Sequence, residues 1–183
     1  MDTSEELRHA NAADQPSVGE GAAHPSGRID GWRDFGDRLR AALAMGATEP
    51  ADWRLCDPDF VQWPLGERAI VEVLQQGALA HPLTRLTLLA ARFEAFPRKH
   101  PRWLAWRQDW SHRVRCLQAN EEDAPQLRPM LLWPGRLGLR VLDGLSGRGV
   151  WSTDPATLHV WLADFDVISQ RSAEAMPGTT LGL

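Results

Sequence analysis

An α/β domain, a mixed sheet flanked by helices, is the architecture this sequence predicts, and three observations predict it. Strand-like and helix-like stretches alternate between Trp53 and Gln118, the pattern of crossover-connected parallel strands. Two aliphatic runs then flank Pro134-Gly135-Arg136, a hairpin signal that adds antiparallel strands. Apolar residues make up 43% of the chain, enough for a core. The longest apolar runs, such as Met130–Trp133, fall far short of the ~20 residues that a bilayer span needs, so no membrane partner is expected.

The elements follow in order. Residues 1–28 carry Met1, Leu7 and Val18 as their only large aliphatics. So little apolar surface cannot offset the entropy of ordering, and the segment is expected to be disordered. Residues 29–50 read as an amphipathic helix and linker. Asp30 caps a helix to about Ala44, with Trp32, Phe35, Leu39 and Leu43 on one face, and Gly46–Ala51 with Pro50 forms the linker.

Residues 51–176 hold the α/β domain. Trp53–Cys56 is a short strand ending in Asp57-Pro58-Asp59, and Pro64 suits the first turn of a helix to about Ala80. Thr84–Ala90 is a strand aliphatic enough to be buried on both sides. His100-Pro101 opens a helix with Trp103, Trp106 and Trp110 at helical spacing, and Val114–Gln118 is the third strand. After a solvated acidic loop, Asn120–Pro125, come the hairpin strands Gln126–Trp133 and Leu137–Leu142, then a short strand at Val150-Trp151. Asp154 caps a last helix that buries Leu158, Trp161, Leu162, Phe165 and Ile168 and stops at Pro177-Gly178. Residues 177–183 are a tail.

Charge is unevenly placed. The net charge is -4, yet residues 85–115 hold seven arginines and Lys99 against Glu94 and Asp109, a net of +6. A basic segment in an acidic protein points to an anion site, here Arg98, Lys99, Arg102, Arg107 and Arg113. The competing reading has these side chains lying over the surface and pairing with acids elsewhere. Alanine and arginine richness with a single lysine is the composition of a GC-rich bacterial coding sequence. Two cysteines and no signal peptide make a reducing cytoplasm the expected setting.

Few residues present themselves for chemistry. Asp57 and Asp59 fall at a strand end, the edge where α/β sheets bind ligands, but Asp-Pro-Asp is also an ordinary turn sequence. The tryptophans of the basic helix are better suited to a core stripe than to stacking on bases. His112 and Cys116 lie four apart, yet Cys116 falls on a strand and reads as a small buried thiol. Cys56, Cys116, His100 and His112 lack paired ligand spacing, so no metal is expected, and no cofactor fingerprint is present. The run Gly144–Gly149 matches neither a P-loop nor a dinucleotide loop.

The order strand, helix, strand, helix, strand, hairpin, glycine-rich loop, helix over roughly Ala51–Ala175 resembles one phospholipase-D-like domain. The stretches Trp63–Arg68, His100–Trp103 and Trp110–Val114, with Arg171-Ser172 and the ending through Leu183, are also similar to a set of short proteobacterial proteins. Phospholipase-D enzymes act through H-x-K-x-x-x-x-D, whose histidine attacks a phosphodiester. On the hairpin those three positions fall at Leu127, Pro129 and Pro134. None offers a nucleophile, a charge or a proton. The resemblance therefore implies a degenerate relative, a pseudoenzyme without catalytic residues. Two motifs form one site in that family, which implies a homodimer, and that implication weakens with the motif gone.

The expectation is a non-catalytic binding domain with an anion or nucleic-acid surface on the basic helix. Two alternatives stand beside it: a hydrolase using Asp57, Asp59 and His112, and a protein-interaction module docking a partner through the Asp30–Ala44 helix or the tail.

Overall fold

The computed structural model of the chain describes residues 24–176. The expected disorder of residues 1–23 and the tail at 177–183 lie outside the described residues. One eight-stranded sheet runs in the order β1-β7-β6-β5-β2-β3-β4-β8. Its strands are β1 (Ser26–Asp30), β2 (Asp52–Asp57), β3 (Arg85–Ala90), β4 (Val114–Gln118), β5 (Met130–Trp133), β6 (Leu137–Asp143), β7 (Arg148–Ser152) and β8 (Ala173–Glu174). β2, β3 and β4 are parallel neighbours; every other pairing is antiparallel. The helices are α1 (Trp32–Met45), α2 (Arg68–Ala80), α3 (Phe96–Lys99), α4 (Pro101–Asp109) and α5 (Pro155–Ser169). A mixed sheet flanked by helices is the class the sequence predicts.

The two-residue period of the strands divides the core between the faces of the sheet. Trp53, Leu55, Leu86, Leu88 and Cys116 face one side, where Phe35 and Leu39 of α1, Ile70 of α2 and Trp103 of α4 pack on them. Cys56, Leu89, Leu117 and Leu132 face the other, beneath Leu158, Trp161 and Phe165 of α5. Each such aliphatic or aromatic side chain contributes about 1.5–3 kcal/mol on burial. One face thus carries three long helices and the other a single one. α1 spends its apolar face in this common core, so that face is not free to dock a partner.

Several boundaries differ from the sequence reading. Residues 26–28, assigned to the disordered segment, belong to β1, which pairs with β7 from Ser26↔Ser152 to Asp30↔Arg148. Only Ile29 of this strand is buried, so local composition carries almost no signal. Asp30 consequently ends a strand instead of capping α1; Gly31 stands at the cap with φ 115, and the Asp34 carboxylate accepts from the Asp30 amide at 3.0 Å. α2 starts at Arg68 because Pro64–Glu67 close a turn. β5 begins at Met130: a 3-10 turn spans Ala124–Gln126 and Pro129 has no amide to donate. α5 stops at Ser169, and the chain returns as β8 along β4. Its start is as read, with Asp154 Oδ2 accepting from the Thr157 amide at 2.8 Å.

Candidate functional site

A cleft of about 630 Å³ opens at the carboxyl end of β2, bounded by the segment before β5 and by the β6–β7 turn. Parallel strands end here with their ligand-binding edge, which is where the sequence placed Asp57 and Asp59. Both carboxylates line the cleft, and both are committed to the protein. Asp57 is buried; its Oδ1 accepts from the amides of Asp59 at 2.8 Å and Phe60 at 2.6 Å, and its Oδ2 accepts from the Trp63 indole at 2.7 Å. These bonds hold a turn in which Phe60 sits at φ 58, a left-handed conformation unusual for a bulky residue. Burial pushes the Asp57 carboxyl up, against the opposing pull of the three donors. Asp59 accepts from the Val61 amide at 3.1 Å and pairs with Arg92 at 2.8 Å.

His112 does not join them. It stands just before β4, at the amino end of the parallel strands, six residues from Gln118, which is level with Ala90 and Asp57 across the sheet. At ~3.3 Å per residue the separation is about 20 Å, so the trio of the hydrolase reading does not converge.

The positions matched to the phospholipase-D motif are also divided. Leu127 and Pro129 line the cleft, whereas Pro134 lies in the turn after β5, at the far end of that strand. Arg128 lines the cleft as well, with Nη1 donating to the Pro125 and Leu127 carbonyls at 2.9 and 3.0 Å. Asp143 at the end of β6 adds a third carboxylate. Its level is held low by the Ser146 hydroxyl and the Leu145 amide. The cleft is therefore more acidic than basic, which disfavours a phosphodiester there. The glycine-rich run forms the ordered β6–β7 turn, where Gly147 at φ +73 packs against the Trp32 backbone too closely to admit a Cβ.

Neither thiol is poised for nucleophilic attack. Burial pushes Cys56 up to about 12 and Cys116 up to about 11, so both stay protonated. His100 is buried with Nε2 2.9 Å from the Phe60 carbonyl, which makes that nitrogen the donor; burial holds its pKa below the ordinary value. Among the described residues no group of three metal-ligating side chains gathers, and no helix is long and apolar enough to cross a membrane.

The five basic residues proposed for anion binding separate into two sets. Arg98 and Lys99 end α3 and Arg102 opens α4; all three side chains are exposed. None pairs with a carboxylate among the described residues, and Arg102 Nη1 reaches only the Gly66 carbonyl at 3.4 Å. Arg107 is different: at 6% exposure it lies inside, because it follows Trp103 by one helical turn and shares its inward face. Arg113 is half-buried. Its Nη1 donates to the Ala78 carbonyl at 2.8 Å and its guanidinium lies 4.9 Å from the Trp110 ring centre, so it fastens α2 to the start of β4. Arg107 and Arg113 are structural. Trp103 and Trp106 are core residues, as their spacing suggests.

No family model and no curated protein matches the chain. Among solved structures it is similar to TrmBL2, an archaeal chromatin protein described as showing a novel mode of DNA binding. That likeness has a TM-score of 0.59 and 13% identity over 82% of this chain and 54% of the other, so this chain spans about half of that protein's length. It is also similar to Nuc, a phospholipase D family member from Salmonella typhimurium, with a TM-score of 0.49 and 7% identity over 84% of this chain and 97% of the other. At 13% identity the likeness to TrmBL2 is one of fold.

Proposed function

We propose that this chain is a non-catalytic binding domain, a phospholipase-D-like scaffold without that family's chemistry, which takes a nucleic acid or other polyanion on Arg98, Lys99 and Arg102. One observation carries the reading: three neighbouring exposed cations, on consecutive turns of α3 and α4, have no carboxylate partner among the described residues. An anionic chain would neutralise them and release its condensed counterions. Two further features support it. Leu127, Pro129 and Pro134 carry none of the groups that phosphodiester cleavage through a phosphohistidine requires. The acid-lined cleft at the end of β2 is itself a poor seat for a polyanion. The DNA-binding archaeal chromatin protein of similar fold makes a nucleic acid the first ligand to try.

The test is a triple variant, Arg98→Ala with Lys99→Ala and Arg102→Ala. Retention on heparin is expected to fall to lower salt, and the slope of log K against log salt for duplex DNA to become shallower by roughly 2–3. Unchanged retention and slope refute the surface. Hydrolysis of a phosphodiester by the purified chain, abolished by one point substitution, refutes the absence of catalysis.

A further inference from the structure

On the face of the sheet that a single helix covers, the central strands carry a polar row where an apolar one is expected. Arg54, Thr87 and Arg115 are in direct register across β2, β3 and β4. With strands ~4.8 Å apart, the two arginines flank the small threonine at a backbone separation of roughly 10 Å. α5 packs on the next residues along these strands, Cys56, Leu89 and Leu117, and its last turns stand over the row without filling the space above it. What it leaves is a cavity of about 320 Å³ between the row and the last turn of α5, lined also by Asp166 and Gln170. That volume suits a small molecule.

The donors in this cavity are only partly used. Arg54 gives Nη1 to the Thr87 hydroxyl at 3.0 Å and Nη2 to Asp52 at 2.7 Å, with its guanidinium 6.0 Å from the Phe165 ring centre. Its Nε is buried without an acceptor. Thr87 Oγ1 accepts from Arg54, so its own proton remains to be given. Arg115 is exposed and pairs with no acid among the described residues. A buried donor without an acceptor is costly. The end of α5 does not oppose an anion with bare carbonyls: Asp166 O accepts from the Gln170 amide, and Ile168 O accepts from the Arg171 amide and the Ser172 hydroxyl.

We infer that the Arg54–Thr87–Arg115 row is a site for a small phosphomonoester. A phosphate has three terminal oxygens, enough to take the remaining Nη hydrogens of Arg54, the Thr87 hydroxyl proton and the Arg115 guanidinium together, a spread that the two oxygens of a carboxylate cover less well. Asp166 would repel the phosphate itself but accepts from hydroxyls, so it and Gln170 face the alcohol part of the ester. The site lies on the α5 face, away from the α3–α4 cations, and its occupation does not depend on them.

The experiment titrates the full chain with glucose 6-phosphate, inorganic phosphate and glucose, reading heat of binding and the shift of the thermal midpoint. Saturable binding of glucose 6-phosphate, weaker binding of phosphate and none of glucose is the expected result. Arg115→Ala, an exposed position, and Thr87→Val, close to isosteric, are each expected to weaken binding about 10- to 100-fold. Both variants should retain the wild-type heparin behaviour within a small margin, and the Arg98, Lys99 and Arg102 triple variant should bind glucose 6-phosphate normally. No saturable binding at millimolar concentration overturns the inference, as does binding that both single variants leave intact. Either failure leaves the polyanion surface untouched.

Discussion

Asp57 occupies the position where an α/β enzyme keeps a catalytic acid, yet its oxygens are taken by two amides and an indole around a left-handed Phe60. Its role is to hold the mouth of the cleft in shape. Asp57→Ala strands three donors, two of them in buried surroundings, and is expected to destabilise the fold by about 3 kcal/mol or more, read as a lower urea midpoint with unchanged m-value. His100 supports the same turn from behind through the Phe60 carbonyl, and burial keeps it neutral. The unfolded chain takes a proton near the ordinary value of 6.5, while the folded chain resists it until lower pH. Stability is therefore expected to be fully present above about 6.5 and to decline as pH falls from there through the depressed folded pKa. His100→Gln keeps an amide donor without the titration and should flatten that part of the pH–stability curve. A slope that survives the substitution assigns it to another group.

At the scale of elements, α1 decides whether residues before β2 are an appendage or part of the fold. Phe35 and Leu39 are fully buried, and Phe35 meets Trp63 edge-on at 4.9 Å between ring centres. Phe35→Ala is expected to cost about 3–5 kcal/mol, and deletion of residues 1–48 to prevent folding, measured by loss of the cooperative thermal transition. A stably folded deletion product would make α1 a docking helix instead. The periodicity of α1, α2 and α5 and the aliphatic runs of β2, β3, β4 and β6 are legible in the sequence because each writes its buried face into its own residues. β1 and β8 are not. β1 buries one apolar side chain and β8 none, so their hydrogen bonds to β7 and β4 hold them, and those partners are distant in the sequence.

For the whole molecule, the uneven charge resolves into separate surfaces. The α3–α4 surface carries cations without a carboxylate partner among the described residues, the cleft at the end of β2 is lined by acids, and the α5 face carries its own arginine row. The triple α3–α4 variant and Arg115→Ala are thus expected to act independently, one on heparin and DNA, the other on the phosphomonoester. Coupling of their effects beyond simple addition would place them on one site.

From sequence alone the class of the fold, its hairpin, the capped last helix and the absence of an H-x-K-x-x-x-x-D motif can be read, since each rests on residue types and short-range spacing. The tertiary structure decided the rest. It put Arg107 inside and left Arg102 outside, separated His112 from Asp57 along the sheet, and set Arg54, Thr87 and Arg115 side by side. These outcomes depend on strand register and helix docking, which join residues far apart in the chain, and no local pattern of polarity encodes which distant partner a side chain will meet.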